Sequence, residues 1–248
     1  SGVALRAAVK KSPSFSRSSS STTMMTSPWR IASMASSMLS NMPAKVHGHG
    51  LQTYLCAMIL PVVAYGDPVL KAEAVDVDSD YEGLTELIAN MWETMYASEG
   101  VGLAAPQVGA SIRVFVVDGS PFAEGEKGDE GCRAFKRVMV NPVIFESSDE
   151  VSTMEEGCLS IPGIREVVER PDAIRVEYYD ENWNLKEEAL SGIAARIVQH
   201  EYDHVEGVLI TDHIHPMRRR LLHGKLRDIS NGKVPVDYRM RFPKAKRK

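Results

Sequence analysis

The sequence predicts an α+β domain in which antiparallel and mixed strands are packed around a central helix that carries an HExxH motif. Segments rich in β-branched and aromatic residues, which are typical of strands, precede an apolar helical pattern over residues 191–206 that contains HEYDH. The chain has 248 residues, of which 44% are hydrophobic and 25% charged, as in ordinary globular proteins. We therefore expect one folded domain over residues 58–230 and a basic C-terminal extension over residues 231–248.

Residues 1–57 differ in composition from the rest of the chain and are expected to lie outside the fold. They are rich in Ser, and no Asp or Glu occurs from Ser1 to Gly66. This composition is typical of a transit peptide, whose removal would leave the protein in the matrix or stroma of a mitochondrion, plastid or apicoplast. The alternative is a disordered Ser-rich tail that carries no address.

The charge and apolar patterns argue against DNA and membranes as partners. Six Lys and Arg residues before Gly66 leave a net charge of −10 on residues 67–248, which makes the folded part a poor nucleic-acid binder. The apolar run over residues 51–64 has 14 positions and is interrupted by Pro61, whereas a membrane-spanning helix needs about 20 residues. The cysteines are odd in number and widely spaced, which favours a reducing compartment over a disulfide framework.

Strand patterns account for most of the middle of the chain. ILPVVAYGDPVL predicts a strand followed by a turn, and apolar spacings of three and four over residues 81–98 predict an amphipathic helix. SIRVFVVD and KRVMVNPVIF predict buried strands on either side of a Gly-rich, acidic loop over residues 119–131. The alternation over residues 174–190 predicts a hairpin about Asp180 to Asn184. Its inner face would carry Ile174, Val176 and Tyr178.

Two helices are predicted toward the C-terminus. The first runs from Ser191 to Glu206, with Ser191 as its N-cap and Gly207 as its terminator. Its apolar stripe consists of Ile193, Ile197, Val198, Tyr202 and Val205. The second runs from about Pro216 to Ile229 and carries five basic residues, namely Arg218, Arg219, Arg220, Lys225 and Arg227.

The HEYDH motif on the first of these helices predicts a metal site. His200 and His204 are four residues apart, so both imidazoles leave one helix face, and Glu201 lies beside them as a candidate base. A catalytic site typically needs a third protein ligand. Downstream His213, His215 and Glu206 are available, but none has metzincin spacing. The alternative is an exposed helix with two solvated histidines.

Cys158, within EEGCLSIPG, is the better candidate for the third ligand, because the adjacent Gly157 permits close approach of the backbone. A single cysteine is otherwise most often a small buried apolar residue. GVGLAAPQVG, over residues 100–109, offers the amide of Gln107 as a donor suited to an oxyanion. The alternative for that segment is a tight turn between helix and strand.

Taken in order, GVGLAAPQ, EGCLS and QHEYDH resemble the three motifs of the peptide deformylase family, which removes the formyl group from the initiator methionine of nascent polypeptides. The resemblance extends from Ile59 to Gly207. It implies that Cys158, His200 and His204 hold one divalent metal ion, Fe(II) in the cell, with Zn, Ni or Co as substitutes. Glu201 would take a proton from the bound water.

The same resemblance implies roles for residues around the metal. The side-chain amide of Gln107 and the backbone N–H of Leu159 would donate hydrogen bonds to the oxyanion. The peptide would bind as an added strand along Val101, Gly102 and Gly157. The methionine pocket would be lined by Ile193 and Ile197, with Glu156 near its mouth and Arg165 at its rim. Asp203 would form an ion pair with Arg170.

The resemblance implies formyl-methionyl nascent peptides as partners. The protein is expected to be a monomer or a homodimer. The basic C-terminal helix could contact ribosomal RNA, although a solvated charged face is the simpler interpretation. Two other functions stay open at the level of sequence. A zincin-like endopeptidase would cleave internal peptide bonds, and a metal-free relative would bind N-termini without catalysis.

Overall fold

The structure is a computed structural model that describes residues 57–123 and 128–243. The predicted targeting segment therefore lies outside the described residues except for Ala57, and part of the predicted 119–131 loop lies outside them as well. No helix in the described ranges is long and apolar enough to cross a membrane. The described part combines helices with antiparallel sheet, as the sequence predicts.

A five-stranded antiparallel sheet forms the centre, in the order β2-β3-β4-β7-β8. Its strands are β2 (Gly102–Ala104), β3 (Val114–Asp118), β4 (Lys136–Ser147), β7 (Ala173–Tyr179) and β8 (Leu185–Ser191). The hairpin β7–β8 turns at residues 180–184, and Ile174, Val176 and Tyr178 are buried on its inner face, so that prediction is confirmed. The short strand β2 lies at one edge of this sheet.

Two helices cover opposite faces of β3, and for this reason all five of its residues are buried. Helix α1 (Leu84–Ala97) packs Met91 and Met95 against Val114 and Val116. Helix α2 (Gly192–Val205) packs its apolar stripe against Phe115 and Val117 on the other face. Burying one such side chain stabilises the fold by about 1.5–3 kcal/mol relative to exposure.

The remaining strands and helices lie outside the five-stranded sheet. Strands β5 (Val151–Gly157) and β6 (Arg165–Pro171) form a separate antiparallel pair that the sequence patterns did not predict. Helices α3 (Ile210–His213) and α4 (Pro216–Ser230) follow α2, and α4 matches the predicted second helix. Strand β1 (Val62–Val63) pairs in parallel with β9 (Met240–Arg241).

The pairing of β1 with β9 corrects the expected end of the domain at residue 230. Val234, Met240 and Phe242 pack against a core that includes Leu70 and Leu226. Residues 231–243 therefore belong to the folded domain. The sequence failed to indicate this because a two-residue strand carries no readable periodicity, and its partner lies about 180 positions away in the chain.

Candidate active site

Helix α2 presents three polar side chains to the interior on one turn. His200, Glu201 and His204 are all buried, and the centroids of the two imidazole rings lie 5.3 Å apart. The spacing of four residues on a helix produces this arrangement. The alternative of two solvated histidines is excluded by their burial.

Cys158 comes directly after β5 and meets the two histidines. The ligand atoms of Cys158, His200 and His204 lie within 4.8 Å of one another, and Cys158 Sγ is 3.3 Å from His204 Nε2. His200 Nδ1 is bonded to Glu156 Oε2 at 2.9 Å, so its Nε2 remains for a metal. A thiolate and two imidazoles form a donor set suited to iron or zinc, so these three residues fit a divalent metal ion.

The other candidates for the third ligand lie elsewhere in the described structure. His213 Nε2 is bonded to Asp203 at 2.7 Å, and Glu206 pairs with Arg113 at 2.7 Å. His215 caps α4 by accepting a hydrogen bond from the N–H of Met217. Only Cys158 therefore joins the two histidines among the described residues.

The electrostatics of the cluster favour a thiolate. Burial opposes ionisation of Cys158, but the neighbouring His204 and His200 lower the pKa of its thiol to about 5. Burial also opposes ionisation of Glu201, and there it outweighs the two histidines and raises the pKa of the carboxyl group to about 7. Glu201 Oε2 has no hydrogen-bond partner in the part of the chain that the structure describes, so it is a free acceptor.

Glu156 occupies a different place from the one expected, and the structure corrects its position near the mouth of the methionine pocket. Its side chain is buried beneath His200, where it accepts hydrogen bonds from Arg170 at 2.7 Å and Arg196 at 2.9 Å. Burial opposes its ionisation, but the bonds from His200 and Arg170 hold the pKa of Glu156 well below its usual range. A carboxylate with these three partners orients His200 and has no exposed edge for substrate.

Arg170 also connects this carboxylate to the next residue of the helix face. Its Nη1 donates to Asp203 Oδ2 at 2.8 Å, which confirms the predicted pairing of Asp203 with Arg170. Asp203 in turn accepts a hydrogen bond from His213. The network joins α2 to β6, which carries Arg170, and so fixes the helix relative to the strands beside Cys158.

Gln107 follows β2 in a 3-10 turn over Ala105–Val108 and points into the site. Its Oε1 accepts a hydrogen bond from the Ala104 N–H at 2.8 Å, which directs Nε2 toward the cluster. Nε2 lies 3.7 Å from Cys158 Sγ and 3.4 Å from Ser160 Oγ. The amide is therefore a buried donor held beside the candidate metal ligand.

Gly102 in β2 gives Glu201 its room. A Cβ atom added at Gly102 would lie 2.3 Å from Glu201 Oε1, closer than any side chain could tolerate. Glycine is needed there because the carboxylate rests directly on the strand backbone. In this chain the glycine of the first motif therefore leaves the space that the glutamate of the third motif occupies.

An open cavity of about 340 Å³ gives access to these groups. The predicted residues on its walls are Val101, Gly102, Gln107, Gly157, Cys158, Leu159, Arg165, Ile197, His200 and Glu201. Ile193 does not line it, and the structure corrects that expectation, because one turn of helix carries Ile193 away from the cavity to pack on the core around Phe115.

Several residues of the cavity were missed by sequence reasoning. Ile161 and Ile164 supply an apolar wall in the loop after Cys158, and Pro235 to Tyr238 form another wall. The apolar residues of IPGI, over residues 161–164, were a weak sequence indication of the first wall. No local signal indicates the second, because its place depends on the pairing of β1 with β9.

Comparison with known proteins gives one consistent result. The family model described as polypeptide deformylase matches residues 59–220. The chain is 53% identical over 194 residues to a peptide deformylase of Christiangramia forsetii, covering 77% of this chain and 99% of that protein. A peptide deformylase of Flavobacterium johnsoniae is 48% identical, with the same coverage.

Solved structures agree with the sequence relatives. A peptide deformylase from Plasmodium falciparum superposes with a TM-score of 0.60 at 35% identity, covering 68% of this chain and 94% of that one. The enzyme from Thermotoga maritima gives a TM-score of 0.57 at 42% identity, covering 64% and 99%. Peptide deformylase 1B of Arabidopsis thaliana gives 0.61 at 34% identity, covering 73% and 98%.

Proposed function

The chain belongs to the polypeptide deformylase family and is a hydrolase that removes the formyl group from N-formylmethionine on nascent peptides, and from this premise we propose the roles of its residues. The observation that carries the proposal is the buried cluster of Cys158, His200 and His204 at the base of an open cavity. Nothing in the comparisons supports the zincin-like endopeptidase. The buried base and the donor amide are not needed by a protein that only binds N-termini.

We propose that Cys158, His200 and His204 hold one divalent metal ion per chain, with Fe(II) in the cell and Zn, Ni or Co as substitutes. When bound, the ion supplies a Lewis acid that polarises the formyl carbonyl and makes water more acidic. The low thiol pKa of Cys158 and the bond between His200 Nδ1 and Glu156, which leaves Nε2 as the ligand atom, support this ligand set. Elemental analysis of anaerobically purified protein would identify the metal.

Glu201 acts as the general base and then as the general acid. Glu201 lines the cavity beside the histidines, and its Oε2, which has no hydrogen-bond partner among the described residues, accepts a proton from the attacking water. The pKa of about 7 that burial produces suits a group that must both accept and release a proton near neutral pH. Glu201 then delivers this proton to the departing amine of methionine.

Gln107 and Leu159 stabilise the tetrahedral oxyanion. The Gln107 amide is already aimed by its bond to the Ala104 N–H, so little reorganisation is needed when negative charge develops. Leu159 follows Cys158 directly, and its backbone N–H is the second donor. Removing one such donor typically costs about 100-fold to 1,000-fold in turnover.

The substrate peptide binds as an added strand. Strand β2 is the edge of the five-stranded sheet, so the edge that bears Val101 and Gly102 is available for main-chain hydrogen bonds. Gly157, at the end of β5, faces the same cavity. Ile197 and the apolar wall of Ile161 and Ile164 receive the methionine side chain, and Arg165 lies at the rim.

The experiment for this proposal is release of formate from a formyl-Met dipeptide by anaerobically purified, metal-replete protein. The parent and a Glu181→Gln variant, altered at an exposed turn residue, should release formate at equal rates. Glu201→Gln keeps the shape of the side chain and should lower turnover by at least about 100-fold because a general base is lost. An active Glu201→Gln variant would contradict the role of Glu201.

We further propose that residues 1–57 direct the chain to an organelle and are removed there. The absence of acidic residues and the abundance of Ser support this proposal. Fusion of residues 1–57 to a fluorescent protein should give organellar fluorescence. Replacement of the six basic residues by Gln should abolish it, and cytosolic fluorescence from the unaltered fusion would contradict the proposal.

Contact with ribosomal RNA through α4 is a separate proposal. All five basic residues are exposed, but Arg218 and Arg219 form ion pairs with Glu166 and Asp212. Co-sedimentation with ribosomes should weaken when the other three, Arg220, Lys225 and Arg227, are changed to Gln. Unchanged co-sedimentation would favour the simpler solvated face.

A further inference from the structure

We infer that Tyr238, in the segment after α4, is a positioning residue for the reaction because its hydroxyl holds the Leu159 peptide in the orientation that the oxyanion requires. Tyr238 OH donates a hydrogen bond to the carbonyl oxygen of Leu159 at 2.7 Å. Tyr238 and Leu159 both line the cavity. The inference rests on the proposed role of the Leu159 N–H as an oxyanion donor.

Strand pairing fixes Tyr238 in place from the C-terminal side. Arg239 O accepts a hydrogen bond from the Val62 N–H and Arg241 O from the Ala64 N–H, both at 2.9 Å. The guanidinium of Arg239 also donates to Ile59 O at 2.9 Å. Tyr238 therefore comes immediately before a backbone segment tied to β1, and its ring is carried by the fold rather than by a free tail.

Hydrogen bonds to three successive carbonyl groups, those of residues 158–160, hold the loop after β5. Only one of these bonds comes from a side chain. Cys158 O accepts from the Ile161 N–H at 2.9 Å, and Ser160 O accepts from the Tyr65 N–H at 2.8 Å. The partner of the middle carbonyl, that of Leu159, is the Tyr238 hydroxyl. A single substitution can therefore release the middle peptide and leave both its neighbours bonded.

The middle peptide affects the N–H of Leu159 through backbone geometry. The Leu159 N–H shares a planar peptide with Cys158 O, and the Leu159 carbonyl belongs to the next plane. A peptide plane tilts by rotation about the backbone bonds on both its sides. The plane that carries the Leu159 N–H is therefore held firmly only when the next plane, which carries the Leu159 carbonyl, is held as well. No described residue accepts a hydrogen bond from the Leu159 N–H, which leaves it free to donate into the cavity.

Packing of the Leu159 side chain provides a second restraint on this residue. A Cβ atom added at Gly100 would lie 2.9 Å from Leu159 Cδ1, so the leucine packs directly on that glycine. Leu159 thus contacts Gly100, before β2, through its side chain and Tyr238, before β9, through its carbonyl group. Loss of the Tyr238 hydroxyl loosens one of these two supports while the ring continues to form the cavity wall.

The test is turnover of a formyl-Met dipeptide by Tyr238→Phe at equal metal content. We expect kcat to fall by roughly threefold to tenfold, the range for loss of one uncharged hydrogen bond, with KM within about twofold. The matched control is Tyr178→Phe, which removes a tyrosine hydroxyl bonded to Glu188 on the central sheet, outside the cavity. Its kcat should equal that of the parent when assayed well below its melting temperature.

A second readout separates positioning from a general structural effect. In zinc-loaded protein labelled with [15N]leucine, Tyr238→Phe should shift the Leu159 amide resonance and speed its hydrogen exchange, while leucine amides on α1 stay unchanged. An active parent with unchanged kcat and an unchanged Leu159 amide in Tyr238→Phe would contradict this inference alone. A metal-replete parent that releases no formate would instead contradict the proposed function.

Discussion

Asp129 Oδ2 accepts a hydrogen bond from the backbone N–H of Ile193, with 3.2 Å between the two atoms, at the first turn of α2. Ser191 occupies the N-cap position predicted for it, but its side chain makes no capping bond. A carboxylate from the loop before β4 thus stabilises the free N–H groups and the positive end of the dipole of the helix that carries His200 and His204.

We expect Asp129→Ala to lower the free energy of unfolding by about 0.5–2 kcal/mol, the usual cost of losing a helix cap. Asp129→Asn should lose less, because an amide oxygen can still accept the bond. The exposed Asp149 provides the control, since its replacement by Ala should change stability little. Urea unfolding measures all three variants, and equal stability of Asp129→Ala and the parent would contradict the capping role.

Gly102→Ala should abolish most of the activity without unfolding the protein. The added Cβ would displace the Glu201 carboxylate, and a misplacement of about 1 Å at a catalytic group can cost about 100-fold in rate. Formate release and circular dichroism together measure this. The matched glycine is Gly224 in α4, where a Cβ meets nothing within 4 Å. Gly224→Ala should keep full activity and gain about 0.5–1 kcal/mol of stability.

Glu156→Gln should weaken metal retention. Glu156 orients the His200 ring through the bond to Nδ1, and loss of such a partner typically lowers metal affinity by about 10-fold to 100-fold. Stability should also fall, because Arg170 and Arg196 lose a buried counter-charge. Competition with a chelator measures the affinity.

The control for metal retention is Glu166→Gln, which removes a buried carboxylate of β6 that pairs with the exposed Arg218 of α4 and should leave metal affinity unchanged. Equal affinity in the parent and Glu156→Gln would show that His200 is oriented without its carboxylate partner. A loss in both variants would point to a general destabilisation instead.

Stability should fall in acid partly through Glu188. Burial opposes its ionisation, but Arg137 and Tyr178 bond to the carboxylate and keep its pKa below the usual value. A lowered folded-state pKa contributes stability that is present above the unfolded value, about 4.3, and is lost as the pH falls through the folded value. Glu188→Gln should therefore show a flatter dependence of unfolding free energy on pH below about 4.3. An unchanged slope would contradict this.

The sequence predicted the elements whose apolar patterns are long enough to read. The spacing of α1 and α2 and the alternation of the β7–β8 hairpin each extend over many residues, and burial of one face requires such periodicity. Strands β5 and β6 were missed because each is partly exposed and because charged residues occupy buried positions, namely Glu156 in β5 and Glu166 and Arg170 in β6. They pair with each other along their whole length.

The candidate site divides in the same way. His200, Glu201 and His204 could be predicted together because one helical turn brings residues four apart to the same face. Cys158 and Gln107 were found through the order of three motifs. Glu156 was assigned the wrong position, since a carboxylate next to a predicted site looks the same in sequence whether it faces a cavity or two buried arginines.

The sequence by itself determined the fold class, the family and the chemistry-bearing residues, because local periodicity and short motifs encode them. Only the tertiary structure decided that Gly102 makes room for Glu201, that Asp129 caps α2, and that Tyr238 reaches the Leu159 carbonyl. Each of these contacts joins residues at least 64 positions apart in the chain. Their encounter depends on how the strands and helices pack, which no local pattern of residues records.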